Sequence, residues 1–99
     1  MAYENILYEK RDGVAFITIN RPKVLNALNR RTLEELDDAV RDFHADDSLR
    51  AGVLTGAGEK AFVAGADINE LAVLSPVAGR DYGLFGQSVL DRIERGPKP

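Results

Sequence analysis

The segment Val14-Ala15-Phe16-Ile17-Thr18-Ile19 constrains this chain more than any other. Val14, Phe16 and Thr18 share one face of an extended segment, and Ala15, Ile17 and Ile19 share the other. Both faces are largely apolar, so this strand is expected to be covered on both sides. The strand before it is Ile6-Leu7-Tyr8-Glu9. Lys10-Arg11-Asp12-Gly13 supplies the turn between them, with Asp-Gly as the hairpin cue. Asn20-Arg21-Pro22 stops the second strand, because proline has no N–H to give the ladder.

The period then changes from two to about 3.6. Leu33, Leu36, Val40 and Phe43 recur three or four residues apart and predict a helix from about Arg30 to about His44. Glu34, Asp37, Asp38, Arg41 and Asp42 fall largely off that stripe and face water. Asn29 is a suitable cap. Thr32 followed by Glu35 has capping-box spacing and is the alternative start. Ala45-Asp46-Asp47-Ser48 breaks the pattern before a strand at Ala51-Gly52-Val53-Leu54-Thr55. A strand, a helix and a strand in this order favour parallel pairing across a right-handed crossover. The fold class is α/β.

Gly56-Ala57-Gly58-Glu59 then leads into Lys60-Ala61-Phe62-Val63-Ala64-Gly65-Ala66-Asp67-Ile68. Small residues let a backbone approach a ligand closely. A helix start at Asp67-Ile68-Asn69-Glu70-Leu71 adds amide N–H groups with no intrahelical partner. A small-residue loop feeding a helix N-terminus is a candidate oxyanion-binding device. That helix is predicted from Ile68 to about Leu74, ending near Ser75-Pro76. A longer one is predicted from about Val77 to Arg95, with Leu84, Phe85, Val89, Leu90 and Ile93 on its buried side. Gly79, Gly83 and Gly86 weaken its first half, each by roughly 1 kcal/mol against alanine.

The 99 residues suit one domain, and no repeat or linker divides residues 1–99. No cysteine is present, which excludes a disulfide scaffold and a cysteine metal site. The net charge of −3 argues against general nucleic-acid binding. No apolar run is long enough to span a membrane, and the polar N-terminus lacks a signal-peptide core. A soluble, cytoplasmic protein is the expectation. His44 is the one histidine, and no metal site or Ser-His-Asp set is expected from it. As a helix-end residue its cation would suit the dipole. Gly56-Ala57-Gly58-Glu59-Lys60 lacks the ending of a P-loop and does not complete a dinucleotide fingerprint.

Three segments carry a resemblance. Lys60 to Ile68 resembles the oxyanion-loop signature of the enoyl-CoA hydratase/isomerase (crotonase) superfamily. Asn20-Arg21-Pro22-Lys23-Val24-Leu25-Asn26-Ala27-Leu28 resembles that family's first CoA-contacting loop. Arg92-Ile93-Glu94-Arg95-Gly96-Pro97-Lys98-Pro99 resembles the stretch before its next core strand. The three stand in family order and cover nearly the whole chain. The resemblance implies the N-terminal part of a crotonase-type ββα spiral (ClpP/crotonase-like), stopping before the core is complete.

The resemblance also implies a chemistry. The family stabilises an enolate-like acyl-CoA thioester between two backbone N–H groups. One matches Ala66; the other belongs to a glycine beyond Pro99. The hydratases' two catalytic glutamates also match positions beyond Pro99, so Glu59 and Glu70 read as surface and helix charges. By the same likeness Val24 and Leu25 contact the CoA side. Ala64 and Ala66 meet the substrate, and the backbone of Asp67 and Ile68 meets the adenine or pantetheine arm. Lys23, Lys60 and Arg21 are either CoA-phosphate contacts or solvated surface cations. The Asp67 side chain suits a helix start more than proton transfer. The activity implied is enoyl-CoA hydration, with a double-bond isomerase, a hydrolase or a non-catalytic acyl-CoA-binding fragment as alternatives. Coenzyme A is carried by the substrate, so no separate cofactor is implied. The partners implied are an acyl-CoA and further subunits of a trimer or hexamer, with no nucleic acid and no membrane.

Overall fold

A computed structural model describes residues 1–99. The opening hairpin is tighter than its sequence predicts. Strand β1 is Ile6–Arg11 and strand β2 is Val14–Ile19, so Lys10 and Arg11 belong to the strand and not to the turn. Only Asp12 and Gly13 remain as the connection, with φ of 51° and 78°. Two left-handed residues make the turn whose twist matches a hairpin. The antiparallel register pairs Ile6 with Ile19 and Arg11 with Val14.

Helix α1, Arg30–Ala45, starts at Asn29, whose side chain accepts the Thr32 N–H at 2.8 Å. The capping-box start does not form, because Glu35 is used elsewhere. Its Oε1 accepts the N–H groups of Glu4, Asn5 and Ile6 at 2.9, 2.8 and 3.2 Å. Arg31 donates to its Oε2 at 2.7 Å. Strand β3, Ala51–Gly56, pairs parallel to β2 with Val14 opposite Ala51. The sheet order is β1-β2-β3.

α1 lays Leu36, Ala39 and Val40 on the Ile17 and Ile19 face of the sheet, where they form the main core with Ile6 and Val89. The opposite face differs from expectation. Val14, Phe16 and Thr18 are only half-buried, and Val53 beside Phe16 is exposed. Both helical layers lie on one side, and the Phe16 ring is instead stacked by the Arg11 guanidinium at 4.3 Å.

Helix α2 is a single turn, Ile68–Leu71, shorter than the sequence suggests. The chain winds down through Val73 N–H to Glu70 O and Leu74 N–H to Leu71 O. Such three-residue bonds tighten and end a helix. Ser75 then caps helix α3, Pro76–Arg95, which runs unbroken through its glycines. Its buried stripe is Tyr82, Phe85, Val89 and Ile93, packed beside α1, with Arg92 on Asp37 at 2.8 Å. Leu84 and Leu90, expected inside, are exposed. They flank a stripe that begins at Tyr82. No helix is long and apolar enough to cross a membrane.

At the end of α1, burial and then the charges of Lys98 and Arg92 push the His44 pKa below its ordinary value. His44 is therefore not the cation expected there. Lys98 takes that place, donating to the carbonyls of Phe43 and Asp46 at 2.8 and 2.6 Å.

Candidate active site

The loop after β2 is built on strained backbone. Pro22–Val24 form one turn of 3-10 helix, and Leu25 and Asn26 follow at φ of 54° and 58°. Neither is glycine, and such strain concentrates at functional sites. Asn26 holds the loop together. It is 1% exposed. Its Oδ1 accepts the Arg21 N–H at 2.9 Å, and its Nδ2 donates to the carbonyls of Ala57 and Ala61 at 2.8 and 2.9 Å. One buried amide thus fastens the Arg21–Leu28 loop to the segment after β3. Replacing Asn26 with alanine is expected to cost about 2–3 kcal/mol, since it leaves buried donors and acceptors unmet. A thermal unfolding measurement checks this.

The backbone makes the second fastening. Ala64 N–H donates to Leu25 O at 3.0 Å, Leu28 N–H to Gly65 O at 2.7 Å, and Asp67 N–H to Leu28 O at 2.9 Å. The last two form a parallel bridge between Leu28 and Ala66. In extended chain, successive peptide groups point to opposite sides. With Gly65 O and Asp67 N–H aimed at Leu28, the Ala66 N–H points away from it. It makes no hydrogen bond within the chain. Gly65, at φ 124°, allows the backbone to bend here. Gly56 permits the same loop to close over β3, since a side chain there would run into the Phe62 carbonyl.

Ala66 lines an apolar cavity of about 430 Å3. Leu28, Leu33 and Val63 form part of its wall, and Tyr82, Gly83 and Leu90 of α3 form another part. Ala66 is itself exposed, so an acceptor from outside the chain can reach it.

Asp67 is structural in this geometry. Its Oδ1 accepts from the N–H groups of Asn69 and Glu70, and its Oδ2 pairs with Arg21 at 3.1 Å. Burial resists its ionisation, but Arg21 and the two amides outweigh it and hold its pKa below the ordinary value. Arg21 also donates to Ala27 O at 2.6 Å. Its guanidinium is therefore held by Asp67 and the Ala27 carbonyl, while the residue also lines the groove beside Lys23. Glu70 accepts the Arg30 N–H at 2.8 Å and joins α2 to the start of α1.

Lys23 and Lys60 are exposed. Lys60 and Leu25 line a groove of about 310 Å3, and Lys23 and Val24 line another of about 430 Å3, with Pro22 common to both. Ala64 and Ile68 are exposed on either side of Ala66. The structure thus joins Leu25 to Ala64 and Arg21 to Asp67, and leaves the two lysines apart from these contacts.

Residues 9–99 fit the enoyl-CoA hydratase/isomerase family. This chain belongs to that family. It is 48% identical over 99 residues to the short-chain-enoyl-CoA hydratase of Clostridium acetobutylicum, covering 100% of this chain and 38% of that protein. It is equally 48% identical, with the same coverage, to the crotonyl-CoA hydratase of Syntrophomonas wolfei. The crystal structure of enoyl-CoA hydratase from Bacillus anthracis superimposes with a TM-score of 0.93 at 33% identity, over 97% of this chain and 38% of that one. The chain therefore spans 38% of the length of these relatives. The α/β spiral expected from the resemblance is the fold observed.

Tyr82 was not expected at the site, and Asn26 and Leu28, though within the expected CoA-contacting loop, were given no role of their own. Asn26 gives one signal, a polar residue in an otherwise apolar Val24–Leu28 stretch. Tyr82 gives another, since it stands seven residues before Val89 on the same helical face. Leu28 fixes the bridge through its backbone N–H and carbonyl, which leave no mark in the sequence.

Proposed function

We propose that this chain forms part of an enoyl-CoA hydratase. The reaction adds water across the 2,3-double bond of a trans-2-enoyl-CoA and yields a 3-hydroxyacyl-CoA, a step of fatty-acid breakdown. The observation that carries this reading is the free Ala66 N–H on the wall of an apolar cavity. Family membership supports it.

In this reading the acyl group enters the cavity and its thioester oxygen takes the Ala66 N–H. Water attacks carbon 3, and charge moves onto that oxygen as an enolate-like state forms. A preorganised donor aimed at the developing charge lowers the barrier and needs no reorganisation. Asp67 is an unsuitable base, because Arg21 and two amides already engage its carboxylate. Proton transfer is assigned to the glutamates that the resemblance matches beyond Pro99. Lys23 and Lys60, exposed on their grooves, are assigned to the CoA phosphates. The complete enzyme is expected to assemble as a trimer or hexamer.

The test is hydration of crotonyl-CoA by the full-length protein, followed through loss of the enoyl-thioester absorbance. Steady turnover to 3-hydroxybutyryl-CoA supports the reading. Binding of crotonyl-CoA with no turnover refutes it.

A further inference from the structure

We propose that Tyr82 is the positioning residue for the Ala66 amide. The proposal rests on the oxyanion reading of Ala66 above.

The Ala66 N–H is aimed by its neighbours, not by itself. The Leu28 carbonyl and the Asp67 N–H define the plane from which Ala66 turns away. That carbonyl accepts a second hydrogen bond, from the Tyr82 hydroxyl. One side chain of α3 therefore meets the carbonyl that also takes the Asp67 N–H.

Tyr82 comes from far along the chain and from a different layer. It is 6% exposed, while Asp81, Gly83 and Leu84 beside it are exposed. Helix α3 is itself fixed to α1 through buried Val89, the approach of Gly86 to Leu33, and the Arg92–Asp37 pair. The phenol is thus a strut between the α1–α3 layer and the bridge. Without its hydroxyl the bridge keeps its own two bonds but loses its tie to α3. Hydrogen bonds weaken steeply as they leave their line. A donor that must meet an oxyanion is sensitive to small displacements. Tyr82 acts through the backbone and is assigned no proton to transfer.

The experiment compares Tyr82→Phe with Tyr3→Phe in the full-length protein. Tyr3 loses an equivalent bond, to Asp38 at 2.7 Å on α1, remote from Ala66. Tyr82→Phe is expected to lower kcat for crotonyl-CoA about tenfold with KM nearly unchanged, the pattern of a lost transition-state interaction. The carbonyl stretch of bound crotonyl-CoA is expected to move back towards its free value. Tyr3→Phe is expected to lower the melting temperature comparably and keep the wild-type kcat. Wild-type kcat in Tyr82→Phe overturns the proposal and leaves the Ala66 reading intact. An equal loss of kcat in Tyr3→Phe also overturns it, since the effect then follows stability. A wild-type protein without turnover overturns both.

Discussion

Replacing Ala66 with proline is expected to reduce crotonyl-CoA hydration by about 10²–10³-fold while the chain stays folded. Proline removes an N–H that no acceptor in the chain uses. The bonds that shape the loop belong to Gly65 O and Asp67 N–H, which proline at position 66 leaves in place. The loss therefore falls on the developing oxyanion and not on the fold. Measuring kcat beside a thermal melt checks both halves. Ala66→Gly keeps the N–H and is expected to stay within about tenfold of wild type, set against the larger loss expected of proline. A proline variant with wild-type turnover would sink the assignment.

Removing Glu35 is expected to have the largest effect on stability. Its side chain is fully buried and accepts three backbone N–H groups and Arg31. Glu35→Ala leaves those donors unmet at the entrance to β1, at a cost of about 3–5 kcal/mol. Domains of this size hold only about 5–15 kcal/mol in total. Denaturant unfolding measures the difference, and a change below about 1 kcal/mol contradicts the account.

The same group predicts a pH dependence. Burial opposes ionisation of Glu35, yet the amides of Asn5 and Glu4 and the Arg31 pair outweigh it. Its pKa is lowered from the ordinary 4.5. The unfolded state therefore binds the proton first as pH falls. The stabilisation is fully present above pH 4.5 and is lost as pH drops towards the folded pKa. Asp37 and Asp42 are lowered too, so acid weakens the fold through several carboxylates. Glu35→Gln isolates one of them. Its melting temperature is expected to fall less steeply below pH 4.5 than that of the wild type.

Both predictions turn on groups that the sequence shows unequally. The Lys60–Ile68 loop is legible because small residues and a capping aspartate are local features. Asp67 caps α2 from two and three residues away, within the reach of a sequence pattern. Glu35 has equally local capping-box spacing to Thr32, and that reading fails. Three amides some thirty residues earlier offer it more than the helix start does. The buried stripe of α3 is right at Phe85, Val89 and Ile93 and wrong at Leu84 and Leu90, for a related reason. Apolar character alone selects Leu84 and Leu90, while the face that meets α1 begins with a tyrosine.

The sequence by itself determined the α/β order, the parallel pairing of β2 and β3 and the loop that carries Ala66. Each follows from periodicity, turn chemistry or a short motif, which are properties of residues close together in the chain. Only the tertiary structure decided which way the Ala66 N–H points. That direction depends on Leu28 bonding to Gly65 and Asp67, on Asn26 fastening two loops, and on Tyr82 reaching the same carbonyl from α3. Backbone groups and distant partners carry no local signature, because every residue but proline offers the same N–H and C=O. Their geometry exists only once helices and sheet have packed.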